Sequence, residues 1–518
     1  MKRPRTAWLV ALAVLVAGCP KIGPDYEPPV PPVAEGWRDA GDATLNVGAA
    51  GPDDWWVLFD DPVLARLVET ARRQNPSLEF AAVRVLEARA RRGIAVGGLW
   101  PQSQNAFGTW SRVELSESRA NQTNPSLDRD FDDWNFGAEA AWELDLWGHL
   151  RRGVEAADAE LMAQVADYDD VLLSLIAEVV RTYVRLRVFE ERLAVAHGNA
   201  IIQQRSRDIA DVKFRNETVS ELDVVQADAL LATTEAFAAA QAAEYRAAEN
   251  TLAVLLGLPP QSLDELVGER GIPVAPPRVE VGVPAELLRR RPDVRRLERQ
   301  VAAQSARIGI AKADLLPRLS LTGVFSVAAE DFADLGDPRS IEAFGGPTLR
   351  WAILNYGRIT NNVRVQDARF QALLAAYEAT VLRAQQEVEN AIVRLARARV
   401  QVDVLGRGAA AARRAVDISE LQYREGMVDY VRVLDAHERL LAAQEQLVVA
   451  RGEAAGQVVA LHRSLGGGWQ VREGEAIVSP DVVEEMRART WWGGLTSGTE
   501  DPDAAVRAPW WRRWWPSW

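Results

Sequence analysis

The chain is written twice, and that decides what it can fold into. Ala90-Arg91-x-Gly93-Ile94-Ala95 returns as Ala306-Arg307-x-Gly309-Ile310-Ala311, an offset of 216. Pro76 and Pro101 match Pro292 and Pro317 at the same offset. Further on the offset is 209: Trp142 matches Trp351, Gly148 matches Gly357, Tyr168 matches Tyr377, and Val184-Arg185-Leu186 matches Val393-Arg394-Leu395. Arg215, Val219, Val224, Leu252 and Gly257 match Arg424, Val428, Val433, Leu461 and Gly466. The shift of seven residues falls between Pro101 and Trp142, so that stretch tolerates length change and reads as a loop. A period near 210 is too long for a solenoid and indicates a duplicated domain.

Each copy repeats one order of elements. A helix (about 62–98 and 284–315) precedes a two-stranded segment (about 102–145 and 318–354). A very long helix (about 148–213 and 357–422) follows, and a last helix (about 220–256 and 429–464) closes the unit. In the first long helix Leu172, Ile176, Val179, Tyr183, Leu186, Phe189 and Leu193 step by 4, 3, 4, 3, 3 and 4, close to heptad spacing. No proline interrupts either long helix, which at 1.5 Å per residue is roughly 100 Å long. A globular core has no use for such a rod, whereas a bundle or tube has. The long helices end in matching turns, Phe214 to Ser220 and Tyr423 to Asp429. Ser220 and Asp429 are suited to cap the next helix, and Ser220 with Asp223 approximates a capping box. Gly426 suits the left-handed ending; Glu217 stands in its place in the first copy, so Asn216 is expected to serve there.

The strand segments alternate with period 2. Phe136, Ala138, Ala140, Trp142, Leu144 and Leu146 point one way, and Asn135, Gly137, Glu139, Ala141, Glu143 and Asp145 the other. Leu319, Leu321, Gly323, Phe325 and Val327 alternate with Ser320, Thr322 and Ser326. Such a pattern fits a half-buried soluble hairpin or a membrane barrel with a wet lumen. Four strands cannot close a barrel, and open edges cannot stand in lipid. If the strands are in a membrane, chains must share the barrel, and three would give twelve strands.

Composition narrows the function. The chain is 48% hydrophobic and 26% charged, ordinary for a folded protein. Its net charge of −13 argues against nucleic acid as a partner. His149, His197, His437 and His462 form no metal-binding spacing, and there is one cysteine, so no metal or other cofactor is expected. No P-loop or GxSxG nucleophile motif is present, and an enzyme is not expected. Lys2, Arg3 and Arg5 precede the apolar run Ala7 to Ala17, which ends in Val16-Ala17-Gly18-Cys19. This reads as a signal peptide over 1–18 with Cys19 as an acylation site; the other reading is a buried cysteine after an ordinary signal peptide. Prolines crowd residues 20–36, so the segment 19–61 is expected to be extended.

Several fragments together resemble a known family. They are the lipobox at Cys19, Gly23-Pro24-Asp25-Tyr26, and Trp55-Trp56-x-x-Phe59-x-Asp61-Pro62-x-Leu64. Glu143-Leu144-Asp145-Leu146-Trp147-Gly148, Ser220-Glu221-Leu222-Asp223-Val224 and Val433-Leu434-Asp435-Ala436 complete the set. In this order, within a duplicated chain, they resemble the TolC-like outer-membrane factors. The nearer likeness is to the lipoprotein branch, the NodT- or OprM-like partners of resistance-nodulation-division efflux pumps. The resemblance covers about residues 16–468. It implies a mostly α fold with a β-barrel contribution: a homotrimer with a twelve-stranded barrel in outer-membrane lipid and a coiled-coil tunnel in the periplasm. A periplasmic adaptor and an inner-membrane pump would feed it. Residues 62–256 and 284–468 are then the two repeats, 257–283 the linker between them, and 469–518 a tail rich in tryptophan. That tail, with Trp491, Trp492, Trp510, Trp511, Trp514, Trp515, Trp518, Arg512 and Arg513, suits a membrane interface or a loosely ordered end.

The resemblance also implies sites. The family gate carries over to Asp435, with Arg432 one turn earlier at a position that is acidic in some members. Three copies of Asp435 would form a tight negative ring, and Arg432 would pair with an acid of a neighbouring chain. Without the resemblance both are solvated groups near a helix start. Val219, Ser220, Gly426, Val428 and Asp429 would be the tips that meet the adaptor, and Glu217 departs from the family's tip glycine. Three functions stay open: an exit duct for small molecules such as drugs, a duct of the same fold for protein secretion or metal-ion export, and a scaffolding lipoprotein without a pore.

Overall fold

A computed structural model describes residues 20–41, 45–46, 51–116, 118 and 128–496. Cys19 and the tryptophans from Trp510 onward lie outside the described residues. The helices are α1 (Pro62–Gln74), α2 (Pro76–Gly97), α3 (His149–Arg215), α4 (Glu221–Leu255), α5 (Pro292–Ala313), α6 (Arg358–Arg424), α7 (Tyr430–Ser464) and α8 (Pro480–Arg489). Short helical turns and a two-residue pairing of Leu45–Asn46 with Val279–Glu280 complete the set. The long helices α3 and α6 have 67 residues each. The expected helix 62–98 is two helices: Asn75 is extended and its carboxamide oxygen accepts from Ser77 N and Leu78 N, which lets Pro76 start α2. The expected helix 284–315 is divided in the same way before Pro292.

The helices form a wall four columns wide. The end of α4 meets the start of α2, where the Asn75 amide donates to Leu255 O at 2.9 Å. The end of α7 meets the start of α5, where Arg291 Nη1 donates to Ser464 O at 3.0 Å. Matching glycines allow both joints. Gly257 and Gly466 each have φ +74, and a Cβ would lie 2.3 Å from Gln74 O or 2.8 Å from Arg290 O. The column of α2 and α4 packs on α3, α3 on the column of α5 and α7, and that column on α6.

The four strands β1 (Ser103–Glu114), β2 (Asp130–Leu144), β3 (Arg318–Ala329) and β4 (Ile341–Arg350) form one antiparallel sheet in that order. The register puts like with like. Trp134 faces Trp110, Phe136 faces Val327, Ala138 faces Phe325, and Trp142 faces Leu321, which in turn faces Pro347. On the other face Glu139 lies beside Asn105 and Glu143 beside Ser320, with Phe107, Val324 and Phe344 as exceptions. Trp134 and Trp142 share the apolar face eight residues apart, about 27 Å along the strand. The base of the sheet repeats its own anchoring: Trp142 Nε1 donates to Leu99 O and Trp351 Nε1 to Leu315 O, at 3.1 and 3.0 Å.

One core sits outside the wall at mid-height. Trp55, Trp56, Phe59 and Leu64 are buried against Leu172, Ile176, Val179 and Tyr183 of α3. Asp61 caps α1 through Val63 N at 2.9 Å and accepts from Tyr183 Oη at 2.5 Å. Part of the tail joins this core. Trp469, Ile477, Val478 and Met486 are buried in it, and Arg472 Nε donates to Asp169 at 2.5 Å. The first part of the tail, residues 469–489, is therefore packed on the core. The proline-rich start is an extended strap. Ile22 N bonds to Trp147 O, Asp25 accepts from Arg152 at 2.9 Å, and Trp37 Nε1 reaches Gly282 O at 3.0 Å. The strap thus runs from the base of the sheet down to the core.

His462 stacks on Trp55, with ring centroids 5.2 Å apart and an interplanar angle of 3°. Burial, then nearby Arg290, lowers its pKa to about 3. The unfolded chain takes up a proton near pH 6.5 that the folded chain refuses, so stability falls as pH drops from about 6.5 toward 3. Urea unfolding at stepped pH should show that loss. His462→Phe, which keeps a ring on Trp55, should flatten the curve by about 1.4 kcal/mol per pH unit in that window. An unchanged slope would mean that His462 is not its source.

Candidate functional site

The far end of the wall, opposite the sheet, is built from the two hairpin turns. In the first, Glu217 N donates to Phe214 O at 2.8 Å and Thr218 N to Lys213 O at 3.0 Å. In the second, Gly426 N donates to Tyr423 O at 3.1 Å and Met427 N to Gln422 O at 2.9 Å. This paired bonding needs one left-handed residue after the helix. Gly426 supplies it at φ +74 and Glu217, not Asn216, at φ +56. The repeat keeps its backbone register even where the glycine is gone. Asn216 instead donates its amide to Val212 O at 2.9 Å.

Ser220 caps α4, accepting from Leu222 N at 3.2 Å. The capping box does not form, because Asp223 is engaged elsewhere: its Oδ2 accepts from Tyr423 Oη of the other hairpin at 3.0 Å. Asp429 has the extended cap backbone but no side-chain cap bond. Val219 and Val428 pack on a small core of Ala210, Ala227, Tyr423, Tyr430 and Val433. Tyr423 and Tyr430 meet edge to face at 5.1 Å, and Lys213 Nζ donates to Tyr423 O at 2.7 Å. Burial and the Asp223 carboxylate raise the Tyr423 pKa, so its phenol stays a donor. Ser220, Gly426 and Asp429 remain exposed around this locked centre.

Arg432 and Asp435 lie on the first turns of α7, and both are exposed. Arg432, Asp435 and Arg439 step by 3 and 4 along one stripe, opposite the buried stripe Val433, His437 and Leu440. Asp435 is not bare. It accepts from Arg439 Nε at 2.9 Å, one turn on, at a spacing that the sequence displays and that the reading of Asp435 as a lone carboxylate passed over. Arg432 has no ion-pair partner among the described residues and stays available to another chain. The stripe therefore presents plus, minus, plus rather than a ring of carboxylates alone. Behind it His437 is fully buried, with Nε2 3.1 Å from Glu420 Oε1 of α6. No local spacing announced that pair.

The edges of the wall are unfinished. Of 67 residues, α3 buries 26 and α6 only 12, because one side of α6 has no neighbour. Leu349, Trp351, Ile353, Leu354 and Tyr356 are exposed along the same side. Among the described residues the outer edges of β1 and β4 have no partner strand.

The tip predicts its own test. Glu217→Gly removes the cost of a left-handed Cβ and should stabilise the first turn by about 1 kcal/mol. Hydrogen exchange at Thr218 should then slow about fivefold, while Met427 in the second turn is unaffected. Equal exchange in both proteins would contradict the strain assigned to Glu217.

Residues 67–258 and 283–467 match the family described as Outer membrane efflux protein. The chain is 31% identical over 473 residues to the pyoverdine export outer membrane protein OpmQ of Pseudomonas putida, covering 91% of this chain and 99% of that one. It is 30% identical over 482 residues to nodulation protein T of Rhizobium leguminosarum bv. viciae, covering 92% and 95%. The solved structure of the outer-membrane channel OprN superposes with a TM-score of 0.81 at 34% identity, covering 87% of this chain and all of that one. With both repeats matched end to end and the same fold in a solved channel, this chain belongs to the outer membrane efflux protein family.

Proposed function

We propose that three copies of this chain close into one duct, the outer-membrane exit of a tripartite efflux system for small molecules. The observation that carries this reading is the unfinished wall: an apolar-faced sheet with two open edges stands directly above a helical layer with an open side. Lipid tolerates no open edge. Two copies would give eight strands, whose interior side chains fill the lumen; three give twelve and leave room for water. Trp110, Trp134 and Phe136 at one end of the apolar face, and Trp142 and Trp351 at the other, suit the two membrane interfaces. A scaffolding lipoprotein without a pore leaves that face unexplained.

The rest of the chain takes its place around the duct. Lys21 pairs with Glu155 beside Gly148, at the base of the sheet. Acyl chains on Cys19, two residues earlier, would enter the membrane there. The exposed backbone at Ser220, Gly426 and Asp429, set on the cores of Val219 and Val428, would receive a periplasmic adaptor, which links the duct to an inner-membrane pump of the resistance-nodulation-division type. The similarity to OpmQ, a pyoverdine export outer membrane protein, supports a small-molecule cargo. A duct performs no reaction, and energy comes from the pump. At the closed end Arg432 of each copy would pair across the chain boundary, while Asp435, held by Arg439, lines the opening.

Single-channel recording of the full-length protein in planar bilayers tests the gate. Arg432→Ala should raise conductance by releasing the contact between chains. Asp435→Ala should shift ion preference toward anions, because Arg439 is then unopposed. Conductance and ion preference unchanged in both variants would remove these residues from the gate.

A further inference from the structure

A cavity of about 460 Å³ opens where the end of α7 meets the start of α5, between α3 and α6. Its α3 lining includes the polar residues Asp170, Ser174 and Arg181, with Leu173 at the edge toward the core. Asp170, Ser174 and Arg181 lie about half a turn round from Leu172, Ile176, Val179 and Tyr183, which face the outer core. The cavity therefore opens on the opposite face of the wall, the lumen side of the proposed duct.

Five arginines line it, and they are not equally engaged. Arg291 bonds Asp293 and Glu387, Arg296 pairs with Asp167 at 3.1 Å, and Arg181 with Glu178 at 3.0 Å. Arg394 has no ion-pair partner among the described residues. Among the described residues the Arg463 guanidinium reaches only the Ser174 hydroxyl, at 3.5 Å. Two atoms of the lining are buried with no hydrogen-bond partner, Arg296 Nε and Gln457 Oε1. Such atoms call for water or a ligand. Asp170 is the one lining carboxylate without an ion pair among the described residues. Burial, then the charge of Asp293, raises its pKa, so it opposes the arginines less than a solvated carboxylate would.

We propose that this cavity is a binding site for small organic anions carrying carboxylates, held by Arg394 and Arg463 in the wall of the duct. A planar guanidinium grips a carboxylate through two parallel bonds, and two such groups at one cavity suit a ligand with more than one carboxylate. Three copies would place three such sites at one level of the lumen. The binding itself stands on the cavity; its place in transport rests on the channel reading.

Calorimetric titration of citrate into the full-length protein in mild detergent tests the site without needing a pore. Saturable binding is expected, weakened roughly tenfold or more in the Arg394→Gln/Arg463→Gln double variant. Arg407→Gln, which removes an exposed charge elsewhere on α6, should bind as the parent does. The absence of saturable binding to the parent protein overturns the proposal, whatever the variants do. Equal binding by the parent and a folded double variant also overturns it. Because the readout is equilibrium binding, a failure here is distinct from a failure of the conductance experiment, which tests the channel.

Discussion

A strand in hydrocarbon must find a hydrogen-bond partner on each side, since no water is there to stand in. Among the described residues β1 and β4 each lack one such partner. The same incompleteness continues downward, where α6 buries less than half as many residues as the equally long α3. Sheet and helices share one missing neighbour. A second copy of the chain, on the proposed reading, presents the complementary edge, and closure of the ring satisfies both deficits together. On the proposed reading the lumen, the gate and the membrane anchor all depend on that closure.

Duplication supplies the frame, and departures from it supply the specialisation. Trp142 and Trp351 make the same bond to equivalent carbonyls, and Gly257 and Gly466 make the same tight joint. Where the copies differ, one of them has usually gained a contact. Asp145 accepts from Leu150 N and Arg151 N at the start of α3, whereas its counterpart Leu354 is an exposed apolar residue on the open side. Gly309 receives the backbone of Gly23 in the strap, while a Cβ at Gly93 would meet open space. Asp223 reaches Tyr423 across the hairpins and ties the two tips together.

Much of this was legible in the sequence, because backbone periodicity and repetition are local. The long helices, their turns and the two faces of the strands follow from spacings of 3.5, 209 and 2 residues. The Asp435–Arg439 pair was also within reach, since it needs only a four-residue step. The break at Asn75 was signalled by Pro76 and by the polar run Arg72 to Ser77 around it. Other features were out of reach because they join distant parts. The arginine cavity assembles residues from Asp170 to Ser464, and the stacking of Trp55 on His462 spans nearly the whole described chain. The burial of Trp469 and Met486 depends on a core that the tail itself does not encode. Glu217 in a left-handed turn shows the reverse: local preference gave way to a register fixed by the rest of the hairpin.

The central claim is that the wall is completed by other copies of the same chain. Light scattering of the protein in mild detergent, corrected for bound detergent, measures this most directly. The account predicts a protein mass of three chains that persists on dilution. A monomer that stays soluble and folded without detergent would contradict it, because the open sheet edges and the bare side of α6 would then need no neighbour.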